Sequence, residues 1–287
     1  MIKHPAVCSL VASCVALLVC VSPSFGETPD TSQEKTSQPI RVGVLSSAAE
    51  PGKNTSQGLY IKILRNAGME AKAVSAEAVR AGALNDLDIF IIGGGSGTAF
   101  NKALGAEGGE LVEKFVEQGG GVLASCAGGY SFARGHSEAL SYVEIANAVI
   151  IDNENRRWAR GKGNVEIETG YDKAPTVTMF YANGPLWKIT DEPGFGVTKA
   201  LGSFRTDIKK KGDEGGVMPG TPAILGGTYG KGRFVLFSAH PEFHWKLGNP
   251  PLVADAARWV VQGELKPGED VNWASVFPSS GQPKEEK

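Results

Sequence analysis

Three residues of this chain could together run acyl-transfer chemistry: a thiol, an imidazole and a carboxylate. Cys126 ends the apolar run Gly121-Val122-Leu123-Ala124-Ser125 and is followed by Ala127-Gly128-Gly129-Tyr130. A strand that breaks at a reactive side chain and turns through small neighbours is a nucleophile elbow, in which residues without a Cβ make room for the tight backbone. A helix beginning near Tyr130 to Ala133 would aim N–H groups and a positive partial charge at the sulfur, favouring the nucleophilic thiolate. The Ala127 N–H would face a developing oxyanion. A second apolar run, Gly232 to Ser238, leads into Ala239-His240-Pro241-Glu242. His240 is the candidate base, and Glu242, two residues on, would fix its tautomer and stabilise the imidazolium.

The Gly93-Gly94-Gly95-Ser96-Gly97 run is a second glycine cluster after an apolar stretch. Its backbone can approach a substrate oxygen closely, so the N–H of Gly94 or Gly95 is the candidate second oxyanion donor. As a phosphate loop it lacks the P-loop lysine and fits G-x-G-x-x-G poorly, because position 98 is Thr. Tyr130, Tyr181 and Asn183 are candidate substrate-binding residues. His240, Glu242 and His244 alternate and could share a strand face around zinc, but Pro241 interrupts such a strand and the spacing matches no strong metal motif. Neither a metal nor another cofactor is therefore expected. His136 is assigned no role.

These residues need elements that hold them at one edge. Ile40 to Leu45, Glu70 to Val74, Asp88 to Ile92 and Gly121 to Ser125 read as strands, and the last two are apolar runs of the kind covered on both faces. Gln57 to Ala67, Ala76 to Leu84 and Glu110 to Gln118 read as the intervening helices. The alternation predicts an α/β fold, a doubly wound and mainly parallel sheet of flavodoxin-like kind. Ligands in such sheets bind at the carboxyl ends of the strands, where Cys126, the Gly93–Gly97 loop and His240 all fall. The second half is strand-rich: Ala148 to Ile151, Val165 to Glu168, Thr176 to Tyr181, Pro222 to Gly226 and Gly232 to Ser238. A closing helix covers Leu252 to Val261.

Residues 1–26 carry Lys3, an apolar run from Ala6 to Val21 and small residues at Ser24 and Gly26, the order of a secretory signal peptide. The chain is expected to be exported, to the periplasm or the outside of the cell. A membrane would be involved only through an uncleaved signal or a lipid anchor at Cys14. Residues 27–39 read as a linker, 40–265 as the domain and 266–287 as a weakly ordered tail, with Trp273 and Phe277 as its docking points. Of four cysteines, Cys8, Cys14 and Cys20 lie in the signal, so the exported chain keeps Cys126 alone and forms no internal disulfide. The net charge of −2, with no basic patch, gives no basis for nucleic-acid binding. The expected partner is a small-molecule or peptide-like substrate, and the oligomeric state is open.

The elbow at Cys126, the late Ser238-Ala239-His240-Pro241-Glu242 segment and the upstream glycine loop resemble class I glutamine amidotransferases. A closer resemblance is to the biotin-protein ligase N-terminal domain family, carried by the opening Gly43-Val44-Leu45-Ser46-Ser47 strand and turn, the Cys126-Ala127-Gly128 elbow and Tyr181-Ala182-Asn183-Gly184-Pro185. The likeness spans Ile40 to Val261 and implies the class I glutamine amidotransferase-like fold with a Cys126–His240–Glu242 triad. The amidotransferase pattern Gly-x-Cys-x-Gly-x-Gln is replaced at two positions, by Ala124 and Tyr130, so glutamine specificity is not implied. Nor is biotin transfer, because no ligase domain is expected after residue 265 and Arg156 to Gly163 reads as a basic loop. Three functions compete on these residues: a thiol-dependent amide or acyl hydrolase, a binding or sensing module on the same fold, and a redox protein using Cys126. The lone cysteine has no resolving partner, which disfavours the last.

Overall fold

A computed structural model of the chain describes residues 38–135, 143–151, 161–209, 215–243 and 251–281. The signal peptide, the linker up to residue 37, His136, His244 and most of the basic loop at 156–163 lie outside the described residues. The strands are β1 (Arg41–Leu45), β2 (Glu70–Val74), β3 (Ile89–Ile92), β4 (Gly121–Ser125), β5 (Ala148–Ile150), β6 (Lys162–Glu168), β7 (Thr176–Ala182), β8 (Trp187–Ile189), β9 (Thr198–Phe204), β10 (Pro222–Tyr229) and β11 (Gly232–Phe237). The helices are α1 (Ser56–Asn66), α2 (Ala76–Arg80), α3 (Gly97–Glu117), α4 (Leu252–Val260) and α5 (Trp273–Val276).

Nine strands form one sheet in the order β2-β1-β3-β4-β11-β10-β9-β6-β7, and β5 pairs with β8 apart from it. The first five are parallel and the remaining pairings are antiparallel. The fold is thus α/β with a parallel core and an antiparallel second half. β3, β4 and β11 are buried at every position. Alternate side chains of a strand point to opposite faces, so each of these strands feeds two cores. Ile89, Ile91, Leu123, Val235 and Phe237 pack on one side with Tyr60 and Leu64 of α1 and Ala256 and Val260 of α4. Phe90, Ile92, Val122, Phe234 and Leu236 pack on the other with Val79 of α2 and Val112 and Val116 of α3.

The departures from the sequence reading have local causes. α3 begins at Gly97 rather than near Glu110, and bends at Gly105 (φ 64°, ψ −177°). Its first half carries several glycines, which weaken a helical pattern when read alone. α2 ends at Arg80, and Ala83–Asp86 continues as a 3₁₀ turn. β8 and β9 carry no clear alternation. β9 holds its place by pairing with β10, across a register shift between Pro222 and Leu225.

The expected weakly ordered tail instead packs on the domain through residue 281. Trp273 and Phe277 are buried, and the Asp255 carboxylate accepts the Ser279 N–H at 2.9 Å and its hydroxyl at 2.8 Å. Arg233, on β11 and fully buried, reaches the same region. It pairs with Glu269 at 2.6 Å, donates to the Gly263 and Glu264 carbonyls and stacks on Trp259. A buried guanidinium requires its counter-charge. Glu269→Gln is therefore expected to destabilise the fold by about 2 kcal/mol, measurable as a lower urea midpoint.

Candidate functional site

Three neighbouring parallel strands deliver the candidate residues to one edge. β4 lies between β3 and β11, with Ala124 opposite Ile92 and Ser125 opposite Phe237. The chain leaving β3 forms the Gly93–Gly95 loop, that leaving β4 carries Cys126, and that leaving β11 carries His240. Cys126 has φ 50°, one of two non-glycine residues with positive φ among those described. Left-handed backbone costs a side-chain-bearing residue roughly 1–2 kcal/mol, and such strain gathers at functional turns. The turn is locked from behind: a Cβ at Gly128 would lie 1.9 Å from the Ile92 carbonyl oxygen. The expected helix after the elbow is a 3₁₀ stretch, Cys126–Phe132, and Ala133 is already extended. So short a turn supplies little of the dipole expected at the sulfur, although the Ala127 N–H remains at its start.

A 3₁₀ turn at Pro241–Phe243 folds Glu242 back under His240. The His240 Nδ1 lies 2.8 Å from Glu242 Oε1, and the carboxylate is fully buried. The same oxygen accepts the Ser56 hydroxyl at 2.5 Å and, at 3.4 Å, that of Ser125. Burial pushes the imidazole down. The Glu242 charge, hydrogen bonds to Cys126 and Glu242, and the charge of Cys126 outweigh it and raise His240 to about 10. An imidazolium is thus held beside the sulfur. Beneath the carboxylate, burial and then the Glu242 charge push the Tyr60 hydroxyl well above the usual tyrosine value. Among the described residues, neither the Tyr60 hydroxyl nor Glu242 Oε2 has a well-formed hydrogen bond.

The glycine loop serves differently from the expectation. The Gly94 N–H donates to Ser56 Oγ at 2.7 Å, so it is not a free oxyanion donor. Its Cα lies against the imidazole, and a Cβ there would stand 2.4 Å from His240 Cε1. The Gln57 side chain donates to the Gly94 carbonyl at 2.8 Å.

The far edge of the sheet closes the site. Beyond β11 the chain meets β7: the His240 N–H donates to the Phe180 carbonyl at 2.8 Å, and Phe180 and Phe243 flank the imidazole. Ala182, at the end of β7, presents its carbonyl to the Cys126 thiol at 3.1 Å. Tyr181 is fully buried, donates to the Gly184 carbonyl at 2.8 Å and packs edge-on against Phe204. It belongs to the core, because alternate residues of β7 face inward. Tyr130 donates to the Asn183 carbonyl at 3.1 Å and so braces this turn. Asn183, at φ 60°, has its Oδ1 buried without a partner among the described residues. Gly184 packs directly on Ser238, where a Cβ would lie 1.7 Å from the carbonyl oxygen.

Cys126, His240 and Glu242 are therefore brought together, with Ala127 and Asn183 beside them. Ser56 was missed: a serine at the first position of a helix gives no signal apart from its contacts. Zinc bound as first envisaged would need His244, outside the described residues, and would compete with the hydrogen bonds that already hold Glu242 Oε1. The large cavity of about 970 Å³ beside Arg41, Asp88 and Gly120 lies at the opposite, amino-terminal ends of the strands.

No family model and no curated protein matches the chain. Among solved structures it is similar to a catalytic mutant of a GH42 β-galactosidase from G. stearothermophilus, with 14% identity and a TM-score of 0.46 over 73% of this chain and 30% of that one. A cytoplasmic protein from Salmonella typhimurium gives 13% and 0.46, over 72% and 90% of the two chains. A ThuA-like protein from Bacteroides uniformis gives 14% and 0.46, over 78% and 91%. The chain thus spans about 30% of the length of the β-galactosidase.

Gly94→Ala is expected to displace the imidazole and slow iodoacetamide alkylation of Cys126 at pH 7 by about ten- to hundredfold, read by intact mass. The raised pKa of His240 also fixes a sign. Its ordinary value is 6.5 and its value in the fold about 10, so its stabilisation is complete below pH 6.5 and is lost as pH rises through 10. The thermal midpoint of the wild type, relative to His240→Gln, is expected to fall over that interval.

Proposed function

We propose that this chain is an exported thiol-dependent hydrolase acting on an amide or related acyl group, of the class I glutamine amidotransferase-like kind and akin to the biotin-protein ligase N-terminal domain family. The observation that carries the reading is the 2.8 Å contact between His240 Nδ1 and the buried Glu242 carboxylate, just beyond the end of β11, the strand next to the one that ends at the strained Cys126. In this reading His240 already holds the proton that Cys126 has given up, and the thiolate sulfur attacks the acyl carbon. The Ala127 and Gly95 N–H groups receive the oxyanion. His240 returns the proton to the leaving amine, and a thioester remains. Water, deprotonated by His240, then releases the acid and the thiol. Asn183 Oδ1 is the polar group left to meet a substrate donor. Tyr130 stands where amidotransferases carry glutamine, so the reading does not assign glutamine as the substrate.

A second reading is favoured by one observation. Cys126 and His240 are only 5% and 7% exposed, a degree of closure that suits a binding or sensing module without turnover. The two readings part on the reactivity of the thiol. The hydrolase reading expects iodoacetamide labelling of Cys126 between pH 5 and 8 to slow by about tenfold or more in His240→Gln and in Glu242→Gln. Rates that are the same in all three proteins would leave the binding module. Release of residues 1–26, read by the amino-terminal sequence of protein recovered outside the cytoplasm, is the result expected for export.

A further inference from the structure

Ser56 touches the Cys126–His240–Glu242 set more closely than any group assigned to it, and it comes from a different part of the chain. It sits at the first position of α1 and is 8% exposed. The helix does not need its hydroxyl, because Thr55 is the cap, accepting the Gly58 N–H at 3.1 Å. The hydroxyl instead joins two parts of the site. It accepts the Gly94 N–H at 2.7 Å and stands 2.5 Å from Glu242 Oε1. An N–H can only donate, so the serine proton must point at the carboxylate. The chain of donors runs from loop backbone to serine to carboxylate, and the same carboxylate oxygen meets His240 Nδ1.

We propose that Ser56 is a positioning residue that hangs the Glu242 carboxylate, and through it the His240 imidazole, from the backbone of the glycine loop; this rests on the hydrolase reading. A carboxylate turns about a soft terminal torsion, and among the described residues Glu242 Oε2 has no partner to hold it. Ser125 reaches the same oxygen only at 3.4 Å, longer than the usual hydroxyl hydrogen bond, and holds it more weakly than Ser56. Ser56 is thus the contact that sets which way the carboxylate faces. The surroundings are fitted to it. A Cβ at Gly93 would lie 2.6 Å from Ser56 Oγ, and one at Gly94 would lie 3.4 Å from it. Gly93 therefore leaves space for this hydroxyl, while its neighbour Gly94 leaves space for the imidazole.

The test compares the wild type with Ser56→Ala, Ser56→Thr, Glu242→Gln, His240→Gln and Ser56→Ala combined with Glu242→Gln, all in the full chain. The first readout is the Nδ1–H proton resonance of ¹⁵N-histidine-labelled protein, assigned by its loss in His240→Gln. Ser56→Ala is expected to move it upfield and to speed its exchange with water by about tenfold, the size of a lost hydrogen bond to a charged group. Ser56→Thr, which keeps the hydroxyl, should restore it. The second readout is Cys126 alkylation at pH 7, expected to slow by about tenfold in Ser56→Ala and no further when that change is added to Glu242→Gln. An unchanged resonance in Ser56→Ala, or slowing that adds in full to that of Glu242→Gln, would overturn the proposal. If Ser56→Ala does not fold, Ser56→Cys, a weaker donor, carries the same comparison. Alkylation indifferent to His240→Gln would sink the hydrolase reading instead, and the resonance would still decide the role of Ser56.

Discussion

The structure around the candidate site depends on a buried negative charge. The Glu242 side chain is wholly removed from water, where an ionised carboxylate is costly unless it is paired and hydrogen-bonded. Its partners come from three places in the chain: His240 beside it, Ser56 at the head of α1 and Ser125 at the end of β4. Each can reach it only if its element is in register with the others. The charge therefore ties α1 to the carboxyl ends of β4 and β11, and it holds an imidazolium next to the one described cysteine.

The sheet order makes this possible. β3, β4 and β11 are neighbours, although β11 follows β4 by more than a hundred residues, so three loops that are remote in sequence converge at one edge. The antiparallel half then contributes from the far end of the sheet. β7 is an edge strand, yet Phe180 pairs with His240 and Ala182 meets the thiol. The sheet must curl for its last strand to meet the chain leaving its middle, in keeping with the twist of large sheets.

Small residues mark where the site is tightest. Gly128 lies against the Ile92 backbone, Gly94 against the imidazole and Gly184 against the Ser238 backbone, and in each case a methyl group would overlap a neighbour. The left-handed turn at Cys126 is held by this packing, since nothing in a cysteine favours that conformation by itself. Among the described residues, the Tyr60 hydroxyl and Glu242 Oε2 remain without well-formed hydrogen bonds beneath the site, a degree of polar frustration that ordinary cores avoid.

The sequence determined the parallel core and the strand-ending positions of Cys126 and His240. Continuous apolar runs such as Ile89–Ile92 and Gly121–Ser125 have no polar face, and a strand without one must be covered on both sides. The pairing of His240 with Glu242 was legible for the same local reason, because two residues and a proline-containing turn suffice to fold one onto the other. Tertiary structure decided the rest. Gly94 and Tyr181 have the residue types of a donor loop and a pocket wall. Their neighbours make one a hydrogen-bond donor to Ser56 and the other a core side chain, and no spacing along the chain records a neighbour more than a few residues away. Ser56 was invisible for the same reason. Its hydroxyl has a role only because a carboxylate 186 positions later is buried against it, and burial belongs to the fold, not to any segment of the chain.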